Sequence, residues 1–170
     1  MARLEPDNSI HTIVDGYRRS ESKLPLVIVG DFSSQGYGNS VKAIAKDVGR
    51  TRSVLFLGSI YDREILDMLR CYCAAYIHGH SVGGTNPSLL EAMSAGSLTI
   101  AHDNEFNREV VGDHALYFTD AEDLASKMNT LEKDLDLRVH DGEVLRARAA
   151  EKYGWESVVA EYDKLFQRLK

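Results

Sequence analysis

The stretch Ala75-Tyr-Ile-His-Gly-His-Ser-Val-Gly-Gly-Thr-Asn-Pro-Ser-Leu-Leu-Glu-Ala-Met93 joins a short apolar run, a glycine-rich loop and the start of a helix. Asn86 is a favourable N-cap and Pro87 a favourable first residue, so this pair predicts that a helix begins there. The continuous apolar run ahead of the loop is typical of a strand covered on both faces. The stretch therefore predicts a strand–loop–helix unit of an α/β fold.

The same alternation of short apolar runs and amphipathic segments extends over the rest of the chain. Strand-like runs lie at Leu26–Gly30, Val54–Leu57, Ala75–His78, Leu98–His102 and Ala115–Phe118. Helices are predicted at Ser9–Arg19, Ser40–Val48, Asp62–Cys71, Pro87–Ala95, Ala121–Leu135, Gly142–Lys152 and Glu156–Leu169. Repeated units of this length predict parallel strands with right-handed crossovers. The predicted fold class is a Rossmann-like, doubly wound α/β domain over residues 1–170, closed by three C-terminal helices.

The start of the chain, its charge and its cysteines limit the function classes. Ala2–Leu4 resemble the end of a strand whose beginning is absent, so we expect a longer natural protein. The net charge of −6 argues against a nucleic-acid surface, which needs clustered Lys and Arg. No apolar run approaches the roughly 20 residues of a membrane span, and we expect no signal peptide. Cys71 and Cys73 do not face each other on a helix, which favours reduced thiols and a cytoplasmic location.

The loop that follows the third predicted strand has the features of a phosphate site. In open parallel sheets, ligands bind beyond the carboxyl ends of the strands. Gly83 and Gly84 allow the backbone to approach a ligand closely, and the helix after Asn86 offers N–H groups and a positive dipole end to an anion. Glu91 lies one turn further along the helix, where a carboxylate can accept hydrogen bonds from both hydroxyls of a ribose.

The segment from His78 to Met93 resembles the signature helix region of the retaining family-four glycosyltransferases of GT-B fold. The sequence of this segment is similar to that of a bacterial branch described as rhamnosyltransferases. Four further segments agree in order, namely Arg3–Asn8, Val27–Gly30, Phe56–Gly58 and Asn107–Val110. The resemblance covers nearly the whole chain and implies the C-terminal, donor-binding half of a two-domain enzyme.

The resemblance also implies roles for individual residues. Glu91 matches the glutamate that holds the ribose, while Gly83 stands where the family has its first glutamate. Arg3 matches an arginine that neutralises the diphosphate, and Asn8 stands where a lysine is usual. Gly58 and Ser59 match the segment that meets the nucleobase. The predicted donor-binding residues are Arg3, Gly58, Ser59, His80, Gly83, Gly84, Thr85, Asn86, Pro87, Ser88, Leu89 and Glu91.

By the same resemblance, the expected donor is a nucleotide-diphosphate sugar, either dTDP-rhamnose or a UDP-sugar, and no metal or other cofactor is required. The acceptor is expected to be a glycan or a lipid-linked glycan, and its pocket is expected on an N-terminal domain of the same protein. We expect the full-length protein to work in the cytoplasm, where it can act as a peripheral protein at the inner membrane. No catalytic residue is assigned within this chain, and the isolated chain is expected to be inactive as a transferase.

Other interpretations of the polar residues remain open. His78, His80 and His102 follow predicted strands, but a His-x-His pair without a fixed third acid is weak evidence for a metal. Residues 102–109 are predicted to be a polar loop that supports the neighbouring site. Tyr153, Trp155 and Tyr162 are predicted to be packing residues. Two alternative functions stay possible at this point, a non-catalytic nucleotide-binding module and a fragment of a GT-B nucleotide-sugar epimerase.

Overall fold

A computed structural model describes residues 4–49, 52–133 and 135–169, with the side chains of 135–139 excluded. The strands are β1 (Leu26–Ile28), β2 (Val54–Phe56), β3 (Tyr76–His78), β4 (Thr99–His102) and β5 (Leu116–Phe118). The helices are α1 (Ile10–Arg19), α2 (Gln35–Lys46), α3 (Arg63–Tyr72), α4 (Pro87–Ser94), α5 (Glu105–Val111), α6 (Ala121–Lys133), α7 (Leu135–Tyr153) and α8 (Trp155–Arg168). Every predicted strand is therefore present, each a little shorter than its apolar run.

All pairs of neighbouring strands are parallel, as the alternation of strands and helices predicts. They form two separate ladders, one of β1 with β2 and one in the order β3-β4-β5. Leu4 adds an isolated parallel bridge to Phe32, beyond the end of β1. Two separate ladders were not predicted, because the sequence pattern indicates strands but not which of them pair.

Two clusters of buried side chains stabilise these layers. The larger one lies under both ladders, where Val14 of α1 and Leu124 of α6 are fully buried beside Phe118. Gly16 permits this close contact of α1 with α6, because a Cβ atom there would come within 3.0 Å of the Leu124 side chain. The smaller cluster joins α4, α5 and α7 through residues such as Leu89 and Leu145.

Three helix predictions differ from the structure. Residues 105–109 of the predicted polar loop belong to α5, whose N-cap Asn104 accepts a hydrogen bond from the Asn107 N–H at 2.9 Å. The loop prediction was wrong for these residues. A helix of this length buries only a few side chains, so its sequence shows no clear helical pattern of apolar residues. Helix α2 begins five residues earlier than predicted, with Gly38 fitted against the Phe32 ring. Helix α7 likewise begins seven residues before the predicted Gly142.

The last helix, α8, is the part of the fold with the least burial. Trp155 is 83% exposed and Tyr162 58% exposed, so the interpretation of these two as packing residues is wrong for the described part of the chain. Tyr153, at the end of α7, does pack against the smaller buried cluster, as predicted. A helical pattern of apolar residues shows that a helix is amphipathic but does not show that its partner is present. Within the described residues, no helix is long and apolar enough to cross a membrane.

Candidate functional site

The site is built around the N-terminus of α4, which begins at Pro87 as predicted. The side-chain oxygen of Asn86 accepts hydrogen bonds from the Ser88 N–H at 3.0 Å and from the Ser88 hydroxyl at 2.8 Å. The hydroxyl of Tyr76 on β3 donates to Ser88 Oγ at 3.1 Å. Burial raises the pKa of Tyr76, so this phenol stays protonated as a donor. The first turn of α4 is therefore fixed to the sheet by a chain of hydrogen bonds.

The backbone donors available for an anion lie in the loop rather than in the helix. Pro87 has no N–H, Ser88 donates to the Asn86 side chain, and the Leu89 N–H donates to the Asn86 carbonyl at 3.0 Å. Residues 83–86 differ, because none of their backbone N–H groups has an acceptor within the described parts of the chain. The N–H groups left for a phosphate in the described residues of this loop are therefore those of Gly83, Gly84, Thr85 and Asn86, while those of the first helical turn are absent or already bonded.

The start of this loop is attached to the turn Pro6–Asn8. Both the N–H and the hydroxyl of Ser81 donate to the Asp7 carbonyl, at 2.9 and 3.0 Å. A Cβ atom at Gly79 would lie 2.3 Å from the Asn8 carbonyl oxygen, so no other residue fits at this position. The loop and the N-terminal turn therefore form one unit at the carboxyl end of β3.

His80 lies at the centre of this unit. Its Nδ1 is 2.8 Å from the Asn8 side-chain oxygen, and since that oxygen accepts, Nδ1 carries the proton. The side-chain amides of Asn104 and Asn107 both donate to the His80 carbonyl at 3.0 Å. His80 Nε2 would be 3.2 Å from a Cβ atom at Gly83, whose φ of +108° also favours glycine. Residues 104–107 thus support the loop, although they belong partly to a helix.

Glu91 projects from the second turn of α4 and forms an ion pair with Arg70 at the end of α3. The Arg70 guanidinium is 5% exposed and also donates to Asp67 at 2.9 Å, whereas the Glu91 side chain is 51% exposed. A buried arginine thus orients a half-exposed carboxylate. Sequence reasoning missed Arg70, and its only signal was an arginine in the last turn of a predicted helix, three residues after Asp67.

Gly58 and Ser59 lie apart from this group, at the carboxyl end of β2. The Ser59 hydroxyl donates to the Asp31 carboxylate at 2.5 Å, and the Gly58 carbonyl accepts from the Gly30 N–H at 2.8 Å. Gly58 has a φ of +69°, which favours glycine. In the described residues no hydrogen bond or ion pair links Ser59 to the α4 loop. Asp31, which sequence reasoning also missed, makes this edge polar.

Arg3, the possible metal ligands and His78 add no described contact for a ligand at this site. Arg3 lies outside the described residues. No group of three or more His, Cys, Asp or Glu side chains within the described residues is arranged to hold a metal. Burial, and secondarily the neighbouring His80, lowers the pKa of His78 from 6.5 to about 3, so His78 is neutral at ordinary pH. His78 therefore contributes no positive charge to an anion at this edge.

Comparisons of the sequence indicate a family. A family model for glycosyl transferases group 1 matches residues 1–147. An uncharacterized glycosyltransferase of Methanocaldococcus jannaschii is 28% identical over 170 residues, which cover 96% of this chain and 42% of that protein. The chain thus spans less than half the length of this relative.

Comparisons of the fold give matches at low sequence identity. The Anabaena protein HepE, solved in complex with UDP-glucose, has a TM-score of 0.83 at 21% identity, over 99% of this chain and 47% of that chain. The sucrose-phosphate synthase of Thermosynechococcus elongatus has a TM-score of 0.81 at 20% identity, over 99% and 44%. The C-terminal domain of a group 1 glycosyl transferase from Francisella tularensis has 0.80 at 16%, over 91% and 84%. The predicted fold class, that of a GT-B C-terminal domain, is confirmed.

Proposed function

Because the chain belongs to the glycosyl transferases group 1 family, we propose that it is the donor-binding domain of a glycosyltransferase that uses a nucleoside diphosphate sugar. The observation that carries the proposal is the juxtaposition at α4: a row of backbone N–H groups at residues 83–86 and a carboxylate one turn into the helix, at Glu91. N–H groups at a helix start bind phosphate, and a carboxylate accepts from ribose hydroxyls. The loop and the helix that follows it thus offer partners to both halves of a nucleoside diphosphate.

Arg70 makes Glu91 suited to this role. A carboxylate that must accept two hydroxyl donors gains from a fixed orientation, because less side-chain entropy is then lost on binding. The buried Arg70 supplies that orientation, while half of the Glu91 side chain remains exposed to a ligand. Glu91 positions the nucleotide in this proposal and transfers no proton.

A hydrogen bond between His80 and Asn8 lies at the position where the family's charge clamp has its lysine. Where the family has a lysine, Asn8 holds Nδ1 of His80, and the ring is directed along the loop towards Gly83. Gly83, in place of an acid, leaves open the space that His80 Nε2 faces. Charge that develops on the departing diphosphate would be stabilised by the loop amides and Arg3.

The donor is proposed to be a pyrimidine nucleoside diphosphate sugar, with the base near Gly58 and Ser59 at the Asp31 edge. UDP-glucose is bound by the Anabaena protein of the same fold, and the resemblance of residues 78–93 favours dTDP-rhamnose. The proposed transfer retains the anomeric configuration. The proposed acceptor is a glycan or lipid-linked glycan bound by a further domain, and the proposed location is the cytoplasmic face of the membrane. The chain alone should bind nucleotide weakly and transfer no sugar.

Calorimetric titration of the chain with UDP, dTDP and GDP, in EDTA, tests the proposal and identifies the base. Glu91→Gln removes the charge but keeps the shape, and should weaken binding at least about tenfold, as expected for a hydrogen bond to a charged group. Glu151→Gln, at an exposed position of α7, is the matched control and should bind like the parent. Absence of binding at millimolar nucleotide, or equal affinities of the two variants, would refute the proposal.

A further inference from the structure

A short polar edge lies at the carboxyl ends of β1 and β2. Gly30 and Gly58 are neighbours there, because the Gly30 N–H donates to the Gly58 carbonyl at 2.8 Å. The residue after each glycine is polar and exposed, Asp31 beyond β1 and Ser59 beyond β2. This is the end of the sheet at which open parallel sheets bind their ligands.

The Asp31 carboxylate has one oxygen engaged and one oxygen open. Its Oδ2 accepts the Ser59 hydroxyl at 2.5 Å, and this hydrogen bond orients the carboxylate. Its Oδ1 has no hydrogen-bond or ion-pair partner within the described residues. A Cβ atom at Gly58 would lie 3.6 Å from Oδ1 and would meet no other described atom within 4 Å. Asp31 therefore offers one acceptor to a ligand that lies over Gly58.

Backbone donors follow Gly58 directly in the chain. Gly58 has a φ of +69°, which turns the chain away from β2. Among the described residues, the N–H groups of Ser59 and Ile60 have no acceptor. The first N–H groups of α3 differ, because the Asp62 side chain accepts from them. The edge thus presents one carboxylate acceptor and two backbone donors.

Helix α3 connects this edge to the proposed ribose position. Arg70, near the end of α3, holds Glu91 and also reaches back one turn to donate to Asp67 at 2.9 Å. Asp67 lies five residues after the cap residue Asp62, which is about 7 Å along the helix axis. A base attached to a ribose at Glu91 can therefore extend along the start of α3 to Ser59.

We propose that Asp31 selects the base of the donor, because its Oδ1 accepts the imide N–H of uracil or thymine. A carbonyl group next to that imide N–H finds a donor in the Ser59 or Ile60 N–H. Cytosine has a lone pair at the same ring position, which would face the carboxylate without a hydrogen between them. Guanine presents two adjacent donors, but Oδ2 is already engaged by Ser59. The inference rests on the proposed function, since it concerns the base of the same nucleotide.

Calorimetric titration of the full chain with UDP and with CDP tests the role of Asp31, because these nucleotides share their ribose and diphosphate and differ only in the base. The parent should bind UDP at least about tenfold more tightly than CDP, as expected for one hydrogen bond to a charged group. Asp31→Asn keeps an oxygen for the Ser59 hydroxyl but turns an amide donor towards the base. It should lose the preference for UDP, since the amide can donate to cytosine. Asp163→Asn, at an exposed position of α8, is the matched control and should keep the preference.

A second variant tests the engaged oxygen. Ser59→Ala frees Oδ2, so that both oxygens of Asp31 can accept the two adjacent donors of guanine. The affinity for GDP relative to UDP should therefore rise severalfold over that of the parent. This ratio decides the question if Asp31→Asn does not fold.

Three outcomes would overturn the role of Asp31. They are equal binding of UDP and CDP by the parent, a preference for UDP that Asp31→Asn leaves intact, and an unchanged ratio of GDP to UDP affinity in Ser59→Ala. In each of these cases nucleotide binding that depends on Glu91 would remain, and the proposed function would stand. If the parent binds no nucleotide at all, the proposed function fails and the selection of a base fails with it.

Discussion

Two parts of this domain have similar local chemistry but very different burial. The three-strand half, defined as β3–β4–β5 with α4, leaves Ile100 only 1% exposed and Phe118 fully buried. The two-strand half, defined as β1–β2 with α3, leaves Leu55 42% and Met68 59% exposed. Both halves contain parallel strands, a glycine turn and a capped helix. Burial therefore follows from the presence of tertiary partners rather than from local sequence.

The comparison bears directly on the candidate site. The proposed anion-binding loop, its Asn86 cap and Glu91 all belong to the three-strand half, whose core is completed by α4, α5 and α7. Gly58, Ser59 and Asp31 belong to the two-strand half. The proposed phosphate and ribose contacts thus rest on the better packed part of the fold, and the proposed base contacts on the less packed part.

The largest expected difference comes from removing a leucine side chain in each half. Leu89→Ala on α4 deletes a fully buried side chain and should lower the free energy of unfolding by about 2–5 kcal/mol. Leu55→Ala on β2 removes a side chain that is 42% exposed and should cost about 1 kcal/mol or less. Urea denaturation measures both, and equal losses would contradict the difference between the halves.

Much of the fold could be predicted from sequence, because continuous apolar runs and the Asn86-Pro87 pair are local signals. All five strands and the start of α4 were placed in this way. Arg70 at Glu91, Asn8 at His80 and Asp31 at Ser59 could not be, because each contact joins residues far apart in the chain. The polar residues of α5 favoured the prediction of a loop over a helix. The apolar pattern of α3 likewise does not indicate that Met68 is 59% exposed.

A smaller effect is expected from acid, and it should arise in the three-strand half. The pKa of His78 is lowered from 6.5 to about 3 by burial, so protons bind more readily to the unfolded chain. The contribution of the neutral His78 to the free energy of unfolding is therefore fully present above pH 6.5. It is lost as the pH drops towards 3, with a slope of up to about 1.4 kcal/mol per pH unit. The free energy of unfolding, measured by urea at pH 7.0, 6.0 and 5.0, gives this slope.

The variant His78→Gln provides the control for the acid effect, because it removes the titrating group and keeps a polar side chain. Its free energy of unfolding should change much less between pH 7.0 and 5.0 than that of the parent. The segment from Leu24 to Leu57, which includes both strands of the two-strand half, contains no histidine and cannot produce such a slope there. An unchanged slope in His78→Gln would assign the acid sensitivity to other groups.

The smallest expected difference is between the two helix caps. Asn86 caps α4 through the Ser88 N–H, and Asp62 caps α3 through the N–H groups of Glu64 and Ile65. Asn86→Ala should cost about 1 kcal/mol of unfolding free energy. Asp62→Ala should cost less, because α3 has less packing to lose. A larger loss from Asp62→Ala than from Asn86→Ala would reverse the order.

The central claim, that α4 and its loop bind a nucleoside diphosphate, is tested most directly by mapping backbone amide chemical shifts during titration with UDP or dTDP. The account predicts that the largest shift changes occur at Gly83, Gly84 and Thr85, with smaller changes at Gly58 and Ser59, where the base is proposed to lie. Glu91→Gln should reduce these changes at a given nucleotide concentration. Shift changes that centre on α3, or that leave residues 83–85 unaffected at saturating nucleotide, would contradict the account.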